Sequence, residues 1–136
     1  MSKMSFDFEG KNVMITGAER GIGLAIAKGF ARCGANIIIA GLADEEFPNA
    51  EKAVKEEGAE CFCIHTDVSD EASVKNTVKT VLNKFSRIDV LVNNAGINKL
   101  APAEKMPLEV WQRILGVNLT GTFLMCREVG ASKIEN

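Results

Sequence analysis

With 136 residues, 16 basic against 18 acidic side chains and a formal charge of -2, the chain has the size for one α/β layer structure and no cationic footprint for nucleic acid or an anionic membrane. Its longest apolar runs, residues 37–40 and 90–92, fall far short of the ~20 residues a membrane span requires. Residues 1–11 mix charges with single apolar side chains and contain no h-region, so the expected compartment is cytoplasmic.

Residues 11–15 form an apolar strand that runs into Thr16-Gly17, and the period changes to helical at Gly21. A helix is predicted over 22–33, with Ile22, Ala25, Ile26, Phe30 and Ala31 on one face and Gly34 as its stop. Residues 36–40 are continuously apolar, as in a parallel strand covered on both faces, and end at Gly41. A second helix is expected over 48–57, closed by Gly58, and a third strand over 60–66. On that strand Cys61 and Cys63 share one side. They and Cys33 and Cys126 form no CxxC pair, and His65 is the single histidine. No metal site is therefore expected; the cysteines are read as reduced and mostly buried, and His65 as a partly buried strand residue.

The Asp67-Val68-Ser69 turn is expected to cap a helix over 71–85. A fourth strand at 88–92 ends in Asn93-Asn94-Ala95-Gly96, and 97–106 reads as a loop. One last helix is predicted from 107 to about 129, its apolar face running unbroken past Gly116 and Gly121. Strands alternating with helices specify an α/β fold: a doubly wound, Rossmann-type parallel sheet of order 3-2-1-4, as a single partial domain over 1–136. The sheet of that fold usually continues beyond a fourth strand, so the chain is expected to be truncated after the fourth strand and the central helix, with strand four as an apolar edge.

The segment Thr16-Gly17-Ala18-Glu19-Arg20-Gly21-Ile22-Gly23 lies between a strand and a helix, where backbone N–H groups and the helix dipole receive a pyrophosphate. Its Thr16-Gly17-x-x-x-Gly21-x-Gly23 pattern resembles the glycine motif of the short-chain dehydrogenase/reductase family, and Asn93-Asn94-Ala95-Gly96 resembles that family's second hallmark. The resemblance implies that Thr16, Gly17, Glu19, Arg20, Gly21, Ile22 and Gly23, together with Gly41, Asn94, Ala95 and Gly96, surround a nicotinamide dinucleotide. It also implies that Asp67 and Val68 lie along the adenine ring, and that Asn118, within Val117-Asn118-Leu119-Thr120-Gly121, is the catalytic-site asparagine. On the residues alone, Asp67 is equally a helix cap, Asn93 and Asn94 turn residues, and Asn118 a solvent-facing helix residue.

An acid at the end of the second strand would bond the ribose 2′-OH of NAD. Gly41 stands there, leaving no strand-end carboxylate to repel a 2′-phosphate, and Arg20 resembles the basic residue that NADP-preferring relatives place in the glycine loop. The expected cofactor is NADP(H), with NAD(H) as the alternative and Asp44 as an acid near the ribose.

In the family a tyrosine transfers the substrate proton, a lysine four residues later lowers its pKa, and a serine polarises the carbonyl. This sequence contains no tyrosine, and the position four before Lys133 is Val129. The parent chemistry implied by the resemblance is hydride transfer between NADP(H) and a small-molecule carbonyl or secondary alcohol, like that of 3-oxoacyl thioester reductases or sugar-acid dehydrogenases. Without general acid chemistry, worth roughly 10²- to 10⁴-fold, negligible turnover is expected of these residues by themselves. The alternative is a catalytically inactive nucleotide-binding or interaction module. The resemblance further implies a homo-oligomer at full length, with Trp111, Leu115 and Phe123 available for self-association.

Overall fold

A computed structural model describes residues 4–135. Four parallel strands, β1 (Asn12–Thr16), β2 (Asn36–Gly41), β3 (Cys61–His65) and β4 (Val90–Val92), form one sheet in the order β3-β2-β1-β4. β1 aligns Val13 with Ile37 of β2 and with Val90 of β4. The expected order 3-2-1-4 is the one observed.

Alternation along the central strands divides the core in two. Val13, Ile15, Ile37 and Ile39 face helices α1 (Gly21–Arg32) and α2 (Phe47–Lys55), where Ala27, Ala31, Ala50 and Val54 meet them. Met14 and Ile38 face the opposite layer, where α3 (Glu71–Phe85) supplies Val74, Val78 and Val81, and α5 (Gly121–Glu135) supplies Leu124, Met125 and Val129. The strand residues in both sets are fully buried, each contributing roughly 1.5–3 kcal/mol relative to exposure. Burial on both faces explains why these strands read as unbroken apolar runs. Cys61 and Cys63 do share one side, packed against the α1/α2 core.

Several local expectations are revised. The cap of α3 is Asp70, whose carboxylate accepts the Ser73 N–H at 3.2 Å; Asp67 instead accepts from the N–H and hydroxyl of Ser69 at 3.0 and 2.6 Å. Asp67 turns the chain, and Asp70 begins the helix. Cys33, Cys61 and Cys63 are half-buried and Cys126 is exposed, so the cysteines are less enclosed than expected. His65 is exposed at the strand end, with Nδ1 2.7 Å from Asp44 Oδ1.

The largest departure is in the last helix, which is three pieces: α4 (Leu108–Leu115), a π-helical turn (Gly116–Thr120) and α5. A π turn widens the ring by one residue, and apolar periodicity continues through it, so the pattern alone reads as one helix. Trp111, Leu115, Leu119 and Phe123 are exposed along these pieces. β4, the outer strand beside β1, is half-buried. Among the described residues no helix is long and apolar enough to cross a membrane.

Candidate functional site

All four strands point their carboxyl ends at one edge of the sheet, so the loops following Thr16, Gly41, His65 and Val92 gather there. The strand order reverses at β1, with β2 on one side and β4 on the other. In open parallel sheets the crevice at this reversal is where ligands bind. Here it is a cleft of about 300 Å³, lined from the β1 loop by Gly17, Glu19 and Arg20 and from the β2 end by Gly41 and Leu42. Asp67 and Val68 line it from the β3 loop, and Asn94, Ala95 and Gly96 from the β4 loop.

The floor is fastened by side chains of both sequence motifs. Thr16 is 1% exposed, and its hydroxyl oxygen accepts the N–H groups of Asn94 and Ala95 at 3.0 and 2.9 Å. The Asn94 amide donates back to the carbonyl oxygens of Thr16 and Gly17, both at 3.0 Å. Four hydrogen bonds thus tie the end of β1 to the end of β4, and the adjacent Asn93 donates to the Cys126 sulfur at 3.2 Å. Asn94 is a brace between strands, beyond the turn role its residue type suggests.

Gly17 has φ +62°, and a Cβ there would stand 2.9 Å from the Ala95 Cα, so any side chain would force the two loops apart. At Gly23 a Cβ would lie 2.5 Å from the Asn94 amide nitrogen and 2.6 Å from the Gly17 carbonyl oxygen. α1 then begins at Gly21 with Arg20 as N-cap. Among the described residues no side chain caps it and none in its first turn is acidic. Its first-turn N–H groups and positive dipole end therefore face the loop with no capping side chain and no first-turn acid.

The predicted residues fall into distinct positions. Thr16 and Gly23 are buried behind the cleft lining, and Gly21, exposed with φ +58°, opens α1. Ile22 is 77% exposed and is not part of that wall. Val68 lines the cleft while packing inward, where a Cβ on Gly121 would collide with its Cγ2 at 2.6 Å. Asn118 sits in the π turn and clamps one residue: its Oδ1 accepts the Ile97 N–H at 2.9 Å and its amide donates to the Ile97 carbonyl at 3.0 Å. Asn118 is exposed, as the solvent-facing alternative has it, and also makes a two-way bond to the β4 loop. Arg113, Val117, Thr66 and Ile97 also line the cleft. Sequence reasoning missed Arg113, whose only signal is a cation one turn before the Val117-Asn118 pair.

Gly41 was expected to leave its strand end without a carboxylate; the structure corrects this. Glu19 reaches across from the glycine loop, so that a Cβ on Gly41 would lie 2.5 Å from the Glu19 Cδ and 2.7 Å from its Oε1. Oε1 accepts the Ala43 N–H at 3.3 Å. Nearby, the Cys63 thiol is held above its ordinary range first by Cys61 and then by burial, with Glu51 and Glu19 adding to it, so it stays protonated. Among the described residues no group of three His, Cys, Asp or Glu side chains is placed to hold a metal.

A four-stranded doubly wound sheet with a glycine cradle at its reversal point defines a nucleotide-binding α/β protein, and the family model described as short chain dehydrogenase matches residues 11–134. The chain belongs to the short-chain dehydrogenase family of oxidoreductases. It is 42% identical to D-threitol dehydrogenase of Mycolicibacterium smegmatis, over 97% of this chain and 52% of that protein. To 3beta-hydroxysteroid dehydrogenase 1 of Eggerthella lenta it is 36% identical, over 89% of this chain and 47% of that protein. Among solved structures, NAD+-bound xylitol dehydrogenase superposes with a TM-score of 0.90 at 36% identity, covering 94% of this chain and 50% of that one. The chain thus spans about half the length of the curated relatives it matches.

Proposed function

We propose that the cleft binds a nicotinamide dinucleotide and that the protein transfers hydride between this cofactor and a small-molecule carbonyl or secondary alcohol. The observation that carries the reading is the cradle: side chains are excluded at Gly17 and Gly23, and the uncapped first turn of α1 opens beside them. Those N–H groups would receive the pyrophosphate, and Asp67 and Val68 would flank the adenine. When bound, the cofactor supplies or accepts the hydride.

The residues present bind and orient. Thr16 and Asn94 hold the two loops in register, and Asn118 fixes Ile97, setting the β4 loop along the side where the nicotinamide and substrate would lie. Such positioning matters because reacting atoms must meet at roughly 3–3.5 Å. The named substrates of the similar enzymes, D-threitol, xylitol and a 3β-hydroxysteroid, are alcohols, which supports an alcohol/carbonyl pair over an acyl thioester.

The absence of tyrosine from the 136 residues favours a second reading of this chain by itself, as a nucleotide-binding module without turnover. Titration with NADH and NADPH, followed by cofactor fluorescence and calorimetry and with folding verified by circular dichroism, tests the common core of both readings. Saturable binding competed by 5′-AMP is expected. A folded chain that binds neither dinucleotide refutes the proposal, whereas oxidation of alcohols by the isolated chain refutes the module reading.

A further inference from the structure

We propose that Glu19, from the glycine loop, supplies the carboxylate that receives the adenosine ribose hydroxyls, and that it selects NAD(H) over NADP(H). The inference rests on the dinucleotide reading of the cleft and reverses the NADP(H) preference expected from Gly41 and Arg20.

The argument begins with volume. The end of β2 is where an acid meets the ribose in NAD-binding sheets of this type, and Gly41 has no side chain to offer. The space a side chain would take is filled, because Cδ and Oε1 of Glu19 lie 2.5 and 2.7 Å from where a Cβ would stand. A carboxylate is therefore present at the strand end, delivered from residue 19 instead of residue 41. The glycine is what admits it.

The second strand of the argument is hydrogen bonding. Glu19 is 8% exposed, and its Oε2 is the one buried side-chain oxygen or nitrogen among the described residues without a hydrogen-bond partner. Buried carboxylate oxygens are costly to leave unpaired, so such an atom at the wall of a ligand cleft is an acceptor waiting for donors. The Ala43 N–H holds Oε1 at 3.3 Å, and Glu19 lines the cleft together with Gly17 and Leu42. A vicinal diol supplies two donors; a 2′-phosphate replaces one of them with negative charge.

Arg20 is the competing feature, since it lines the same cleft and would attract a phosphate. It is exposed, and water and salt screen its field, whereas Glu19 is enclosed at the point of contact. The buried anion dominates the choice, and Arg20 remains free to face the pyrophosphate.

The test is calorimetric titration of the whole chain with NADH and NADPH, for the wild type, for Glu19→Gln, and for Glu19→Ser combined with Gly41→Asp. The wild type is expected to bind NADH at least about tenfold more tightly than NADPH, and Glu19→Gln to weaken NADH and bring the ratio to within about threefold. The double variant moves the carboxylate to the strand end and is expected to prefer NADH again, which places the adenosine ribose beside residue 41. If Glu19→Gln does not fold, Glu19→Ser against the wild type gives the same comparison. A wild type that prefers NADPH, or a ratio unchanged by Glu19→Gln, overturns the assignment while leaving dinucleotide binding intact. Binding of neither nucleotide to folded wild type overturns both.

Discussion

Replacing Thr16 by valine removes a hydroxyl while keeping shape, and the structure sets what that costs. The Thr16 Oγ1 is the acceptor for two backbone N–H groups, those of Asn94 and Ala95, inside a residue that is 1% exposed. Leaving a buried donor unsatisfied costs roughly 1–3 kcal/mol, and the half-buried Asn94-Ala95 segment lets water relieve part of one, so Thr16→Val should lose about 2–3 kcal/mol. That is a large share of the roughly 5–15 kcal/mol that holds an ordinary domain together. Thr16→Ser keeps the acceptor and loses one methyl, for about 1 kcal/mol. Urea unfolding followed by circular dichroism measures both, the two midpoints being compared at constant m. A Thr16→Val chain within about 0.5 kcal/mol of wild type would show that the hydroxyl does not fasten β1 to β4, and the bracing argument would fail.

Gly23→Ala should be destabilised by about 2–3 kcal/mol and lose dinucleotide binding, because its methyl meets the Asn94 amide and the Gly17 carbonyl; denaturation and titration check the two effects separately. Asn118→Ala releases both bonds to Ile97, so amide exchange at Ile97 should accelerate about tenfold with little change in global stability. The Glu57 carboxyl is held below its usual range by its hydrogen bonds from Arg32 at 2.9 Å, and Arg32→Ala should return it upward in an NMR titration. Because a depressed carboxylate contributes stability above its unfolded pKa, that contribution is present at neutral pH and lost as pH falls through the lowered folded value. Both groups are at the surface, so added salt should shrink the effect.

Reading the chain in one dimension captured what local rules govern. β1 and β2 are legible because strands covered on both faces must be apolar throughout, and the glycine stops at Gly34 and Gly58 end the segments they follow. The two motif loops are legible because a strand running straight into a glycine turn has few other uses. Element boundaries were less so: the fourth strand was expected from residue 88 and begins at Val90. The π turn at 116–120 was invisible, since one extra residue per turn hardly disturbs an apolar stripe. Asp67 and Asp70 are both plausible caps by residue type, and only the geometry at Ser73 chooses between them.

The sequence by itself determined the sheet order, the two-sided core and the place of the cleft, because periodicity, glycine stops and right-handed crossovers leave few alternatives. Tertiary structure alone decided which side chains share the cleft. Glu19 and Gly41 lie 22 positions apart, and nothing in their spacing says that one fills the space the other vacates. Asn118 and Ile97, and Thr16 and Asn94, are likewise joined only when separate strands bring their loops to one edge. Charge at a point in space depends on which chain segments converge there, and a linear pattern does not record convergence.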